Sequence, residues 1–253
     1  MKNISLAVDV GNSQISIGLF DGNNLIARTD YKTPSFEVDP FVTHITKFAN
    51  ENNIGADDCK KSMICSVVPR LTRLIQISIK SVFGIEPKLL GEEELSYVPM
   101  EIDDPSEVGG DLIADLVAAK EIYGCPALVV DLGTLTKNLV LDKRGVFVGT
   151  SFYPGLQVCL DAMSEKAELI PSAEELRLPQ DYLGTNTKDA MNAGIYYVTT
   201  SAVSKIGETC NRLYGVEHKI LTGGFAELIG EYVKGFTIDS DLALKGLNIL
   251  MNK

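Results

Sequence analysis

The chain has no tryptophan, only two histidines, and no CxxC pair among its five widely spaced cysteines (Cys59, Cys65, Cys125, Cys159 and Cys210). A structural zinc site built on Cys and His is therefore excluded, and an odd, scattered set of thiols predicts buried cysteines in a reducing cytoplasm. No apolar run approaches the roughly 18 residues that span a bilayer, and the chain enters a strand pattern at once, without signal-peptide architecture. The expectation is a soluble, cytoplasmic protein with no membrane partner. Basic residues are also in deficit, 23 Lys and Arg against 34 Asp and Glu, for a net charge of −11. Nucleic acid is disfavoured as a partner, because binding a phosphate backbone depends on Lys and Arg displacing counterions. A nucleotide is not, since backbone amides and a bridging magnesium ion act at close range.

Three common nucleotide signatures are missing as well: a GxxxxGK[ST] loop, a GxGxxG after a strand, and a protein-kinase catalytic loop. What the chain has instead is a repeat. Residues 4–28 alternate apolar positions around Asp9-Val10-Gly11-Asn12-Ser13 and again up to Asp21-Gly22, which reads as a three-strand meander. Residues 127–149 follow the same plan around Asp131-Leu132-Gly133-Thr134 and Gly145. Asp9 to Gly22 spans 13 positions and Asp131 to Gly145 spans 14. A carboxylate at a strand end beside a glycine turn can hold magnesium, directly or through water, while the glycine admits a phosphate. One such turn is usually only a turn. Two copies with matching flanks imply two similar α/β domains, 1–118 and 119–253. Both turns are then expected to open onto a shared ATP cleft, the arrangement of duplicated ribonuclease H-like (actin-like ATPase) domains with mixed sheets flanked by helices.

Between the repeats, Asp104-Pro105 with Glu107 has the form of a helix N-terminus, followed by Val108, Leu112, Ile113, Leu116 and Val117 at helical spacing. Gly109-Gly110 sits where glycine costs a helix about 1 kcal/mol per residue against alanine. Close approach of a ligand would explain the pair, and so would a neighbouring strand. Asp111 follows in the early helix. In the second half, Met191, Ile195, Val198, Ala202, Ile206 and Leu213 predict one long helix from near Asn186. The segment from Arg70 to Ile79 fits helix or strand equally.

With these segments stand Cys65-Ser66-Val67-Val68-Pro69, Pro154-Gly155, Gly184-Thr185-Asn186-Thr187 with Ala190-Met191, Gly194-Ile195-Tyr196-Tyr197, and Thr222-Gly223-Gly224. Taken in order, the set resembles the type III pantothenate kinases over nearly the whole chain. The resemblance implies ATP-dependent phosphorylation of the primary hydroxyl of pantothenate, the first step of coenzyme A biosynthesis, by a homodimer. It implies that Asp9, Val10, Gly11, Asn12, Ser13, Gln14, Ile15 and Ser16 form the first phosphate loop for ATP, with Asp9 toward magnesium, and that Thr134 is a second nucleotide contact. Asp131 matches a ligand of potassium or ammonium. Asp111 matches the proton acceptor for the substrate hydroxyl, within a substrate-lining stretch of Gly109, Gly110, Asp111 and Leu112, and Thr187 matches a further substrate contact.

Four places depart from the family pattern. Leu112 stands where an arginine is usual and Ile102 where a tyrosine is usual; Leu135-Thr136-Lys137 replaces a run of small and hydroxyl residues; and residues 149–155 are less rich in glycine and alanine. The missing arginine leaves the substrate carboxylate without its cation, a charge that Lys137 could supply from the facing domain. Two alternatives follow: a kinase for another small alcohol, or a silent nucleotide-binding paralogue.

Overall fold

The computed structural model describes residues 2–167, 169 and 176–253. Ten strands run in chain order: β1 (Ile4–Val10), β2 (Gln14–Asp21), β3 (Asn24–Lys32), β4 (Cys59–Ser66), β5 (Lys88–Leu89), β6 (Ala127–Leu132), β7 (Leu135–Leu141), β8 (Phe147–Pro154), β9 (His218–Thr222) and β10 (Thr237–Ile238). The α-helices are α1 (Val38–Glu51), α2 (Pro69–Phe83), α3 (Glu92–Leu95), α4 (Gly110–Ala118), α5 (Leu156–Lys166), α6 (Thr187–Tyr214), α7 (Ala226–Gly230) and α8 (Leu242–Met251).

The strands form two five-stranded mixed sheets, ordered β3-β2-β1-β4-β5 and β10-β9-β6-β7-β8. Both have one plan. A central strand (β1 or β6) pairs antiparallel with the next strand of its meander and parallel with a later strand (β4 or β9). The repeat predicted from the two Asp-x-Gly segments is thus a repeat of sheet topology. Close packing groups the chain into one unit of residues 1–98, 103–118 and 242–253, and a second of 99–102 and 119–241.

In the first unit, alternation along the strands sorts side chains to two faces. Leu6, Val8 and Val10 of β1, with Ile15, Ile17 and Leu19 of β2, are buried with Phe41 and Ile45 of α1 and Leu71, Ile75 and Ile79 of α2. The Arg70–Ile79 segment, ambiguous in sequence, is helical. Pro69 opens α2, Gly84 closes it at φ +70°, and Leu71, Ile75, Ile79 and Phe83 fall four apart on its buried side. Ile77, which gave the strand-like alternation, is exposed. On the other face Gly18 meets Leu244 of α8.

The helix α8 also crosses α4 at Gly246, so closely that a β-carbon there would lie 2.6 Å from the carbonyl carbon of Ala114 and strike its oxygen. Gly246→Ala is expected to destabilise the fold by about 1–3 kcal/mol, as overpacking does. A thermal melt should read this as a fall of about 2–4 °C per kcal/mol for a chain of this size.

In the second unit, Leu128, Val130 and Leu132 of β6 pack with Leu156 and Leu160 of α5 and with Met191, Ile195, Tyr196, Val203 and Cys210 of α6. The long helix expected from near Asn186 is α6, but its buried stripe differs from the predicted one. Val198 and Leu213 are exposed, and Tyr196, Thr199 and Gly207 take the inner face.

Among the described residues, no helix is long and apolar enough to cross a membrane. Burial pushes the thiols of Cys125, Cys159 and Cys210 up, and that of Cys59 up to about 12.

Candidate active site

The first Asp-x-Gly turn follows β1. Asp9 is half-buried, opposite Ser16 on β2 and Cys65 on β4. The turn is closed by the Gly11 amide donating to the Gln14 carbonyl at 2.9 Å, and a β-carbon at Gly11 would lie 3.1 Å from that oxygen. Asn12, Ser13 and Gln14 are exposed, whereas Val10 and Ile15 are fully buried. Of the eight residues expected to form the first phosphate loop, Val10 and Ile15 therefore direct their side chains into the core and leave only backbone to a ligand.

A residue absent from the sequence reading fixes this turn. Thr33 is buried; its hydroxyl donates to the Gly11 carbonyl at 2.8 Å and its amide to the Ser13 carbonyl at 3.1 Å. No motif marks Thr33, which lies 22 residues from Gly11. Only the pairing of β3 with β2 brings it there. Arg28, also from β3, reaches the Ser16 hydroxyl at 3.4 Å while held by Asp30 at 3.1 Å.

The turn after β4 lies alongside. Val67 donates its amide to the Val10 carbonyl at 3.1 Å, and the Ser66 hydroxyl accepts from Val68 N–H at 3.2 Å and from Thr72 at 2.8 Å. The Cys65-Ser66-Val67-Val68-Pro69 segment is thus the passage from the parallel partner of β1 into α2.

Asp104 caps only a short 3₁₀ turn, residues 105–107, by accepting from the Ser106 amide at 2.9 Å and its hydroxyl at 2.6 Å. The main helix, expected from the sequence to start there, begins instead at Gly110, because Val108 is extended and interrupts the helical turn. Gly110 has a packing reason. A β-carbon at Gly110 would sit 2.9 Å from Leu90 Cδ2 and 3.1 Å from Cys65 Sγ, and one at Gly109 would meet Asp111 Oδ1 at 2.5 Å. Of the two explanations left open by the sequence, the neighbouring strand accounts for Gly110. Asp111 follows in the first turn of α4, half-buried. Because Gly110 rests on Cys65, and Cys65 is the register partner of Asp9, the fold brings Asp9 and Asp111 to one edge of the sheet, beyond the carboxyl ends of β1 and β4. That edge is where open α/β sheets bind ligands. Leu112 is 5% exposed, so its side chain belongs to the interior.

The second Asp-x-Gly turn gathers three motifs that are distant in sequence. Gly133 donates to the Leu135 carbonyl at 3.3 Å, leaving Thr134 exposed at the tip. Gly155 donates to the Thr134 carbonyl at 3.0 Å, and a β-carbon there would lie 2.6 Å from that oxygen and collide with the Gly133 carbonyl. Gly223, at φ +87°, abuts Asp131 Oδ1 and the Leu132 backbone so tightly that no β-carbon fits. Phe225 N–H then donates to the Leu132 carbonyl at 3.2 Å. Pro154-Gly155 and Thr222-Gly223-Gly224 are therefore glycine-requiring contacts of the Asp131–Thr134 turn.

Lys137 lies within this same sheet. It is the register partner of Asp131 across β6 and β7, and its Nζ is 2.6 Å from Asp131 Oδ2, with side chains 16% and 14% exposed. Its ammonium is engaged by Asp131.

Thr187 belongs to another feature, the start of α6, where it is exposed at the first helical position. Asn186 caps that helix by accepting from the Asp189 amide at 3.0 Å, and Arg177 holds Asp189 at 2.6 Å. These two neighbours lower the Asp189 pKa. A β-carbon at Gly184 would run into the backbone of Asp189 and Ala190, which explains the glycine before the cap.

The architecture is shared with solved structures of low sequence identity. The activator of 2-hydroxyisocaproyl-CoA dehydratase from Clostridium difficile superimposes with a TM-score of 0.56 at 12% identity, over 98% of this chain and 92% of that one. The ethanolamine utilization protein EutJ from Carboxydothermus hydrogenoformans gives 0.57 at 15% identity, over 98% and 89%. In sequence, the type III pantothenate kinase of Agathobacter rectalis is 32% identical over 98% of this chain and 96% of its own length. That of Geotalea uraniireducens is 34% identical over 98% of each. The family model for type III pantothenate kinase matches residues 5–209, a span holding both Asp-x-Gly turns, the α4 start and most of α6. With its motifs accounted for by one duplicated fold and its length matched almost end to end, the chain belongs to the type III pantothenate kinase family.

Proposed function

We propose that the chain transfers the γ-phosphoryl group of ATP to the primary hydroxyl of pantothenate, giving 4'-phosphopantothenate and ADP. The observation that carries the reading furthest is the placement of Asp9 and Asp111 at one sheet edge through Cys65. In this reading the exposed Asn12-Ser13-Gln14 turn and Thr134 contact the nucleotide. Asp111 accepts the hydroxyl proton as the alcohol oxygen bonds to the γ-phosphorus and ADP departs with the bridging electron pair. Gly109 and Gly110 bring backbone to the acceptor, Leu112 contributes backbone alone, and Thr187 is a further acceptor contact.

Among the described residues no cluster of three or more His, Cys, Asp or Glu side chains is poised for a metal. Magnesium needs none, since it binds through one or two carboxylates together with substrate phosphates and water. Half-buried Asp9, at the strand end beside the turn, suits that role, and bound magnesium would neutralise charge on the phosphates. A separate potassium or ammonium ion on Asp131 does not suit the residues present, because the Lys137 ammonium already lies against its Oδ2.

Further elements of the proposal are a homodimer and a cytoplasmic location. On α6, Gly194 and Val198 face outward, Val198 is 71% exposed, and among the described residues nothing outside the adjoining helix backbone lies within 4 Å of where a Gly194 β-carbon would be. Such a face suits a second copy. Among the described residues no disulfide joins the cysteines, which suits a reducing compartment.

The test is ADP formation by the purified chain with magnesium-ATP, with and without pantothenate, alongside a panel of small alcohols. Pantothenate-dependent ADP formation is expected. ATP turnover indifferent to every acceptor would overturn the reading in favour of a silent nucleotide-binding paralogue. Because Leu112 is buried and Lys137 is engaged by Asp131, the panel includes alcohols without a carboxylate. Faster turnover of one of these would identify another acceptor.

A further inference from the structure

The Asp131–Lys137 pair is placed with unusual care for an ion pair. It joins directly opposed residues of β6 and β7, at 2.6 Å, with about six-sevenths of each side chain shielded from solvent. Surface pairs contribute little because water and salt screen them. This one sits under the Gly133-Thr134 turn, and Gly223 closes the other side of the carboxylate. A primary ammonium carries the same charge as a bound ammonium or potassium ion and offers N–H donors in the geometry of ammonium itself. Like charges a few ångströms apart in a shielded site repel, so a second cation on this carboxylate is opposed.

We infer that Lys137 is a built-in monovalent cation: its ammonium occupies the position beside Asp131 where an exogenous potassium or ammonium ion would otherwise bind, and frees this chain from any need for one. The inference rests on the kinase reading for its consequence in turnover but not for its consequence in binding. Lys137 is a positioning residue. It sets the charge at Asp131 and so the turn carrying Thr134, and it touches no reacting atom. A tethered cation loses no translational freedom when it takes its place, unlike a diffusible one.

Melting of the full-length chain, without ATP or pantothenate, is compared in choline chloride and in potassium or ammonium chloride at equal ionic strength. The wild-type chain is expected to melt at the same temperature in all three. Lys137→Met leaves Asp131 buried without its cation, so potassium or ammonium should raise its melting temperature by linkage, and Lys137→Met/Asp131→Asn should lose that response. If Lys137→Met does not fold in choline chloride, its refolding yield in potassium chloride reads the same linkage.

In the pantothenate-dependent ADP-formation assay, wild-type turnover should be indifferent to potassium. That of Lys137→Met should rise at least about tenfold with potassium or ammonium, in kcat more than in KM for pantothenate. Specific stabilisation of the wild-type chain by potassium would overturn the inference. So would a Lys137→Met variant unresponsive to either ion, or one whose only defect is a raised KM for pantothenate, since that would assign Lys137 to the acceptor carboxylate. An absence of pantothenate turnover in the wild-type chain would sink the kinase reading alone, and melting would still decide the role of Lys137.

Discussion

Asp111→Asn is expected to lower pantothenate-dependent turnover by about 10²- to 10⁴-fold, the usual contribution of a positioned proton acceptor. Asparagine has nearly the same shape, so the side chain can still lie beside Gly109 and the first turn of α4 remains intact. What changes is polarity, because a carboxylate only accepts hydrogen bonds whereas the amide nitrogen can only donate them. The substrate hydroxyl then has no base at the moment its oxygen attacks phosphorus. Thermal stability should stay within about 0.5 kcal/mol of the wild-type chain, as for substitutions that create neither cavity nor buried charge. The shift in melting temperature produced by magnesium-ATP should also persist. Steady-state kinetics with a melt in the presence of nucleotide check both parts, and unchanged turnover would remove Asp111 from the mechanism.

Gly155→Ala should be a strongly damaging single-methyl change at the second turn. The added carbon would lie 2.6 Å from the Thr134 carbonyl oxygen and collide with that of Gly133. Both obstacles are backbone, so no side-chain rotation relieves the contact. Either the Asp131–Thr134 turn opens or β8 moves away from it. Overpacking of this kind costs about 1–3 kcal/mol. Displacing a substrate contact by about 1 Å can lower catalysis about 10²-fold. The expected result is therefore a drop in kcat/KM for ATP much larger than the stability loss alone would produce, measured at a temperature where the variant remains folded. A variant with wild-type ATP kinetics would show that Thr134 has no part in nucleotide binding.

The parts of the site legible in the letters were those whose chemistry is local. An aspartate at a strand end, a glycine in the turn and a repeat of both at matching separations declare themselves without knowledge of what lies opposite. Hence the two meanders, the long helix α6 and the repeated aspartates Asp9 and Asp131 could be picked out in advance, whereas Asp111 was marked only by the family resemblance. Less local features were misjudged or missed. Val198 fits a 3.6-residue period yet is exposed, because periodicity locates a stripe but not which side of it meets the sheet. Thr33 was invisible because its value lies in two hydrogen bonds to a turn that only the β2–β3 register brings within reach. The glycines at 110, 155 and 223 could be seen as costly or turn-prone, but not what they had to avoid.

Lys137 shows the division most clearly. The family resemblance marks it as a charge where small and hydroxyl residues are usual, and a charge in that place could serve a substrate carboxylate. The antiparallel register of β6 and β7 sets it against Asp131 instead. By itself, then, the sequence determined the duplication and the family, because these depend on residue type and spacing along the chain. The tertiary structure alone decided which groups meet: Asp9 with the start of α4 through Cys65, Gly155 with Thr134, and Lys137 with Asp131. Hydrogen bonds, steric contact and ion pairing fall off within a few ångströms, and sequence separation does not measure that distance.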